Sequence, residues 1–240
     1  KKESVLRTLT VALLVCLVCS VVVSAAAVAL KPVQITNQLQ DKQRNILQIA
    51  GLYKEGVSVQ EQFKQVTPRL VDLRTGEFSD ATDPLTYDQQ KASKVPETSQ
   101  RMDPKVDIAS IRRQAYYSTV YVVEDEQGEI ETVILPIHGY GLWSTLYGFM
   151  ALESDLKTVV GLGFYQHAET PGLGGEVDNP SWKKQWTGKV VYDESGDVEH
   201  QVDALAGATL TSRGVENLVR FWLGKDGFGE FLDHLRAGEA

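Results

Sequence analysis

Two short segments hold residues whose types and spacing can do chemistry. The first is Asp203-Ala204-Leu205-Ala206-Gly207-Ala208-Thr209-Leu210-Thr211-Ser212, in which small residues and hydroxyls run straight into an apolar helical stripe that begins at Val215. The free N–H groups and the dipole of a helix N-terminus favour negative charge, so a phosphate beside Thr209 or Ser212 would be well placed. The plain alternative is a capped helix start, with Thr211 or Ser212 as N-cap. The second segment is His167-Ala168-Glu169-Thr170-Pro171-Gly172-Leu173-Gly174-Gly175, which follows a predicted strand. Its glycines let backbone amides come close to a flat or anionic ligand, although an ordinary surface loop has the same composition.

Other chemistries lack their parts. The chain has no phosphate-binding G-x-x-x-x-G-K-[ST] loop, no G-x-S-x-G elbow and no H-E-x-x-H pair. His138, His167, His200 and His234 are scattered without ligand spacing, and the glycine pairs near 161 and 172 complete no dinucleotide fingerprint.

The elements that must position these segments follow from periodicity. Val215, Leu218, Val219, Trp222 and Leu223 form a helical apolar stripe, which Phe228, Phe231, Leu232 and Leu235 repeat. Tyr116 to Glu124 and Ile130 to Leu135, joined by Gln127-Gly128, read as a hairpin. Leu146 to Leu152 and Val159 to Tyr165 around Ser154-Asp155 read as another, and Val190 to Tyr192 as a short strand. Pro68 to Phe78 reads as a strand ending in a turn at Thr75-Gly76. Ser58-Val59-Gln60-Glu61 is a capping box opening a short helix, and Asn179-Pro180 marks another helix start. Ser79 to Pro104, polar and proline-punctuated, reads as a long surface excursion. The class is α+β with a mostly antiparallel sheet and flanking helices.

Leu9 to Leu30 is uncharged and almost wholly apolar. As a helix it would be ~33 Å long, which matches the hydrocarbon core of a bilayer. The competing reading is a cleaved signal peptide, with Lys1, Lys2 and Arg7 as its charged region and Ala25-Ala26-Ala27 as a cleavage site. The apolar run is longer than a signal core, which favours a retained anchor. Lys31 to about Gly51 then reads as a helix leaving the membrane. The organisation expected is a short tail over 1–8, a transmembrane helix over 9–30, a helical and strand part over 31–110, and a main domain over 111–240. Positive charges flank the span almost evenly, so orientation rests on the short tail inside and the large domain on the outer face.

The net charge is −8; Lys1, Lys2 and Arg7 against Glu3 leave −10 on the rest. An acidic domain does not suit nucleic acid, whose binding depends on Lys and Arg neutralising phosphates. The only cysteines, Cys16 and Cys19, lie in the apolar segment, so the remainder has neither disulfide nor thiolate metal site. On a helix their sulfurs share a face, but two soft ligands without a histidine make an incomplete site.

Asp203 through Gly207-Ala208-Thr209 resembles the flavinylation motif of the FMN-binding domain family. Three further stretches make the whole chain similar to the C subunit of Na+-translocating NADH:quinone reductases: Asp41 to Leu47, Gly139-Tyr140-Gly141-Leu142-Trp143, and Glu169 to Pro180. The G subunit of Rnf complexes shares the anchor and the Gly-Ala-Thr motif, but the segment from Asp41 to Asp107 resembles the reductase's C subunit. One position departs from the family pattern: Ala206 stands where Ser or Thr usually precedes Gly-Ala-Thr.

The resemblance implies FMN joined through its phosphate to Thr209 by a flavin transferase. It implies an FMN-binding domain over 111–240. It also implies one-electron transfer among cofactors of a membrane complex, with NADH and quinone bound by partner subunits, and a place in a bacterial inner membrane with the domain in the periplasm. Gly207, Ala208, Leu210, Thr211 and Ser212 would then hold the phosphate, with Thr211 as the alternative attachment point. Leu142, Trp143, Thr170, Gly172, Leu173 and Gly174 would shape the ring's walls. His167 would donate a hydrogen bond to the cofactor or serve the fold, and Arg213 would pair with the phosphate or lie in solvent. A membrane-anchored scaffold domain with no covalent ligand is the alternative class.

Overall fold

The computed structural model of the chain describes residues 4–192, 198 and 204–239. Asp203, the first residue of the hydroxyl-rich segment, lies outside them. Tertiary contacts divide the chain into two units, 1–42 and 43–240.

The first unit is helical from Val5 onward. It belongs to α1, Val5–Ile49, which includes Pro32 and contains an apolar stretch long enough to cross a membrane. Within this first unit the apolar side chains of α1 are exposed, and Cys16 and Cys19 are free.

The second unit is built on a six-stranded antiparallel sheet. Its strands are β1 (Val66–Asp72), β2 (Glu77–Phe78), β5 (Tyr117–Glu124), β6 (Ile130–Tyr140), β7 (Thr145–Glu153) and β8 (Val159–Gln166). Their order is β2-β1-β5-β6-β7-β8. A separate ribbon pairs β3 (Ser99–Arg101) with β4 (Arg113–Ala115). The helices are α2 (Val59–Phe63), α3 (Gln89–Ala92), α4 (Pro180–Lys183), α5 (Thr209–Leu223) and α6 (Gly229–Ala237).

Alternation along the strands feeds two cores, one on each face of the sheet. Val133, Leu135, Ile137, Leu146, Met150 and Leu152 meet Val215, Leu218, Val219 and Trp222 of α5 and Phe228 and Phe231 beside it. On the other face Ile134, Phe149, Ala151 and Tyr121 meet Ile46, Leu47 and Ile49 from the end of α1. Glycine makes that second approach feasible: a Cβ on Gly161 would stand 2.5 Å from the carbonyl oxygen of Ile49.

Several expectations change in detail. The strand expected over 68–78 is a hairpin, with Val71 opposite Phe78 and Gly76 in the left-handed region at φ 66°. β2 is so short that Pro68 has no partner on that side, and its missing N–H costs nothing. The polar excursion over 79–104 carries α3 and β3 and is fastened to β5. Tyr87 donates its hydroxyl proton to the Tyr117 carbonyl at 3.0 Å, and Ser118 donates to Gln89 at 2.9 Å. The expected strand over 190–192 is reduced to isolated bridges, Thr158 to Val190 and Tyr192 to Val198.

β6 runs five residues past its expected end at Leu135, through Pro136 and Gly139. Its pairing with β5 stops at Ile134, so the upper half of β6 has one open edge. Pro136 suits that edge because it has no N–H to satisfy. Elsewhere along it the gap is filled: the Trp222 indole donates to the His138 carbonyl at 2.6 Å, and the Tyr140 amide donates to Ala109 at 2.8 Å.

Candidate functional site at the start of the long C-terminal helix

α5 begins at Thr209, three residues before the start read from Ser212, with Ala208 as N-cap and no side chain capping it. Neither Thr211 nor Ser212 is therefore the cap; both lie inside the first turn. The Ser212 hydroxyl instead accepts from the Leu205 amide at 2.9 Å and donates to the Ala208 carbonyl at 3.2 Å. The amides of Thr209, Leu210 and Thr211 precede the first helical acceptor. No side-chain oxygen caps this end, and the first turn carries no acidic residue of its own.

The approach of α5 to the sheet depends on glycine at two places. A Cβ on Gly214 would lie 2.6 Å from the Tyr140 carbonyl oxygen, and one on Gly139 would lie 2.6 Å from Cβ of Leu218. This pairing brings the loop joining β6 to β7, residues 141–144, beside the first turn of the helix.

Glu169 binds these parts together and was not singled out in the sequence. It is only 5% exposed. Its Oε1 accepts from the amides of Leu142 (3.2 Å), Trp143 (3.0 Å) and Ser144 (3.1 Å), while Oε2 accepts the Thr211 hydroxyl at 2.7 Å. The Ser144 hydroxyl lies 3.4 Å from Oε1 and accepts from the Ala168 amide at 2.7 Å. Burial disfavours the Glu169 charge, but the Thr211 hydroxyl and the three amides outweigh it and hold the carboxyl below its usual range. The only hint in the sequence is an acidic residue at the mouth of a glycine-rich turn with no basic neighbour.

Around this hub the proposed residues separate into groups. Thr209 is exposed, whereas Thr211 is 0% exposed and its hydroxyl proton is committed to Glu169. The Thr211 hydroxyl is thus less accessible than that of Thr209. Leu142, Leu173, Leu210 and Trp143 are exposed apolar side chains, Trp143 to 67%. Tyr140 joins them at the top of β6. Gly207, at φ 71°, brings its backbone within reach of Leu173: an added Cβ would stand 3.1 Å from Cδ2. Ala208 and Gly174 are buried, while Thr170 and Gly172 lie on the exposed rim of their loop.

His167 does not present a free nitrogen. Its Nε2 lies 2.8 Å from the Asp178 carboxylate and its Nδ1 accepts from the Glu169 amide at 3.2 Å, so the ring holds the glycine-rich loop in shape. Arg213 is exposed on the second turn's approach. A wide cleft elsewhere, between the end of α5 and α6, mixes Arg220, Lys225 and Arg236 with Asp226, Glu230 and Asp233 and favours no ligand of one charge.

Fold and site together define an antiparallel α+β domain that offers an exposed hydroxyl at an uncapped helix N-terminus, with exposed apolar side chains on that turn and on the loops beside it. The family profile that matches is the FMN-binding domain, over residues 141–224. The chain is 58% identical over its full length to the C subunit of the Na(+)-translocating NADH-quinone reductase of Pseudomonas aeruginosa, covering 99% of that protein. It is 47% identical to the subunit of the same name from Yersinia pestis, over 98% of this chain and 95% of that one. The crystal structure of NqrC from Shewanella oneidensis superposes with a TM-score of 0.77 at 37% identity, over 82% of this chain and 98% of that chain. The chain belongs to the family of C subunits of Na+-translocating NADH-quinone reductases.

Proposed function

We propose that this chain carries FMN covalently, as a phosphoester on Thr209, and passes electrons one at a time between cofactors of a membrane Na+-translocating NADH:quinone reductase. The observation that carries the reading is Thr209 itself. It is the hydroxyl at the first residue of an uncapped helix, exposed, while Thr211 and Ser212 beside it are buried and hydrogen-bonded. A phosphate joined there meets the free amides of the first turn and the positive end of the helix, a placement worth ~0.3–2 kcal/mol for an anion. Leu142, Trp143, Leu173 and Leu210 supply apolar walls of the kind a flat ring requires, and Gly207 lets the backbone come close.

When bound, the flavin supplies the redox chemistry; the protein supplies binding, position and electrostatics. Thr209 serves as a tether, not a nucleophile in turnover. A covalent link removes the cost of rebinding and fixes one place along an electron path. A flavin transferase would make the bond, and the other subunits of the complex would bind NADH and quinone. Residues 9–30 would cross the lipid of a bacterial inner membrane once, with the main domain in the periplasm.

The test is the intact mass of the full chain produced beside the transferase. The expected result is one FMN, less water, on the wild type, mapped to the peptide containing Thr209, with in-gel fluorescence that survives denaturation. Thr209→Ala should be unlabelled. A wild-type chain of unmodified mass, or a fully labelled Thr209→Ala, would falsify the reading. Protease access to the main domain in intact spheroplasts tests its side of the membrane.

A further inference from the structure

The flavin reading leaves one buried charge unexplained. No cation pairs with Glu169 among the ion pairs of the described residues, so its carboxylate is not half of a salt bridge. Five donors converge on it: three consecutive amides and one hydroxyl of the β6–β7 loop, and the Thr211 hydroxyl of α5. An ionised carboxylate is acceptor-only and has enough lone pairs for such a set, whereas a glutamine would turn an NH2 toward donors.

The surroundings are shaped for that group. A Cβ on Gly141 would stand 2.7 Å from Oε1, and a Cβ on Gly174 would stand 2.7 Å from Oε2 and 2.5 Å from the Thr211 hydroxyl. Both glycines therefore serve access to the carboxylate. The loop it grips carries Leu142 and Trp143; the helical turn it grips begins with Thr209.

We propose that Glu169 is a positioning residue of the flavin site: as a carboxylate it clamps the loop bearing Leu142 and Trp143 to the first turn of α5, and so fixes the apolar wall relative to the Thr209 tether. The proposal rests on the FMN reading above. It assigns Glu169 no contact with the cofactor.

Two measurements on the full chain in detergent micelles test it, with wild type, Glu169→Gln and Thr211→Val each made beside the transferase. Amide hydrogen exchange at Leu142, Trp143 and Ser144 reads the clamp without reference to flavin. Exchange there should accelerate ~10–100-fold in Glu169→Gln and by a smaller factor in Thr211→Val, while the β7 and β8 amides stay protected. The ratio of Glu169→Gln to wild-type exchange should fall toward one as acid protonates the wild-type carboxylate, which a packing role would not produce. Fluorescence anisotropy of the attached flavin reads the consequence and should drop in both variants.

Unchanged loop exchange in Glu169→Gln overturns the clamp. Faster exchange with unchanged anisotropy overturns the positioning role. A wild-type chain lacking flavin removes the FMN reading and the positioning claim with it, while exchange still reports whether the clamp exists. If Glu169→Gln does not fold, Thr211→Val carries the same outcomes alone.

Discussion

Gly214→Ala is a sharp probe of how α5 is seated, because two effects of known size oppose each other. In the interior of a helix, alanine is favoured over glycine by roughly 0.8–1.0 kcal/mol. If α5 stood clear of the sheet, the substitution would stabilise the protein by about that amount. Here the new Cβ would meet the Tyr140 carbonyl oxygen at 2.6 Å and Cα of Gly141 at 3.0 Å. These are backbone atoms at the root of the β6–β7 loop and cannot swing aside like a side-chain tip. Overpacking of this kind costs about 1–3 kcal/mol, which cancels the helix gain and leaves a net loss of up to ~2 kcal/mol. For a domain of this size that lowers the midpoint by up to roughly 8 °C, where a helix clear of the sheet would raise it. Thermal unfolding of the full chain in detergent, followed by far-UV circular dichroism, reads the shift. Displacement of the loop should also change the emission of exposed Trp143. A midpoint that rises, with Trp143 emission unchanged, would show that the helix does not sit against Tyr140.

Further outcomes follow from other contacts. Trp222→Phe keeps the ring in the core but withdraws the indole donor from the His138 carbonyl, and should cost about 1–3 kcal/mol by chemical denaturation. His138, packed between Tyr147 and Trp222, has its pKa pushed down to about 4 by burial from an ordinary 6.5. A depressed folded pKa means that stability present above pH 6.5 is lost as pH falls toward 4. The loss is at most ~3 kcal/mol, and less for the partly exposed ring, and His138→Phe should flatten that part of the stability curve. Glu169 is buried, yet the Thr211 hydroxyl and the amides around it hold its carboxyl below the ordinary range. The stability its carboxylate supplies is complete above the ordinary carboxyl range and fades as pH drops through its lowered value, a slope that Glu169→Gln should lack in equilibrium unfolding at acid pH.

What the sequence disclosed, and what it hid, follows from where each signal resides. The β5–β6 hairpin was legible because Gln127-Gly128 sits between two runs rich in β-branched residues, and Gly128 does take a positive φ of 85°. The upper half of β6 was hidden, since Pro136 and Gly139 look like strand breakers until the missing stretch of β5 is known. The start of α5 was misjudged because the rules for helix caps look for a side-chain oxygen, and Ala208 has none. That omission is itself informative: the cap is absent where a phosphate is expected. Glu169 escaped notice because its partners are mostly main-chain amides, and no residue-type pattern records those. The segment over 79–104 read as free loop because its fastenings are single side chains, such as Tyr87 donating to the Tyr117 carbonyl of β5 and Thr119 of β5 donating to the Pro84 carbonyl, between residues far apart in the sequence.

α5 does separate work at its two ends. Its first residue offers the exposed hydroxyl, and Trp222 in its last turn plugs the gap in β6. Each residue of an α-helix advances the direction of its side chains by about 100°. The count of residues between Thr209 and Trp222 therefore sets an angular phase between the tether and the plug. One residue inserted or deleted between them would force a choice: either the indole leaves the notch in the sheet, or the hydroxyl changes its direction relative to the β6–β7 loop. The helix acts as a gauge of fixed length and pitch, and natural variants of this protein should tolerate substitution along its outer face far better than any change in its register.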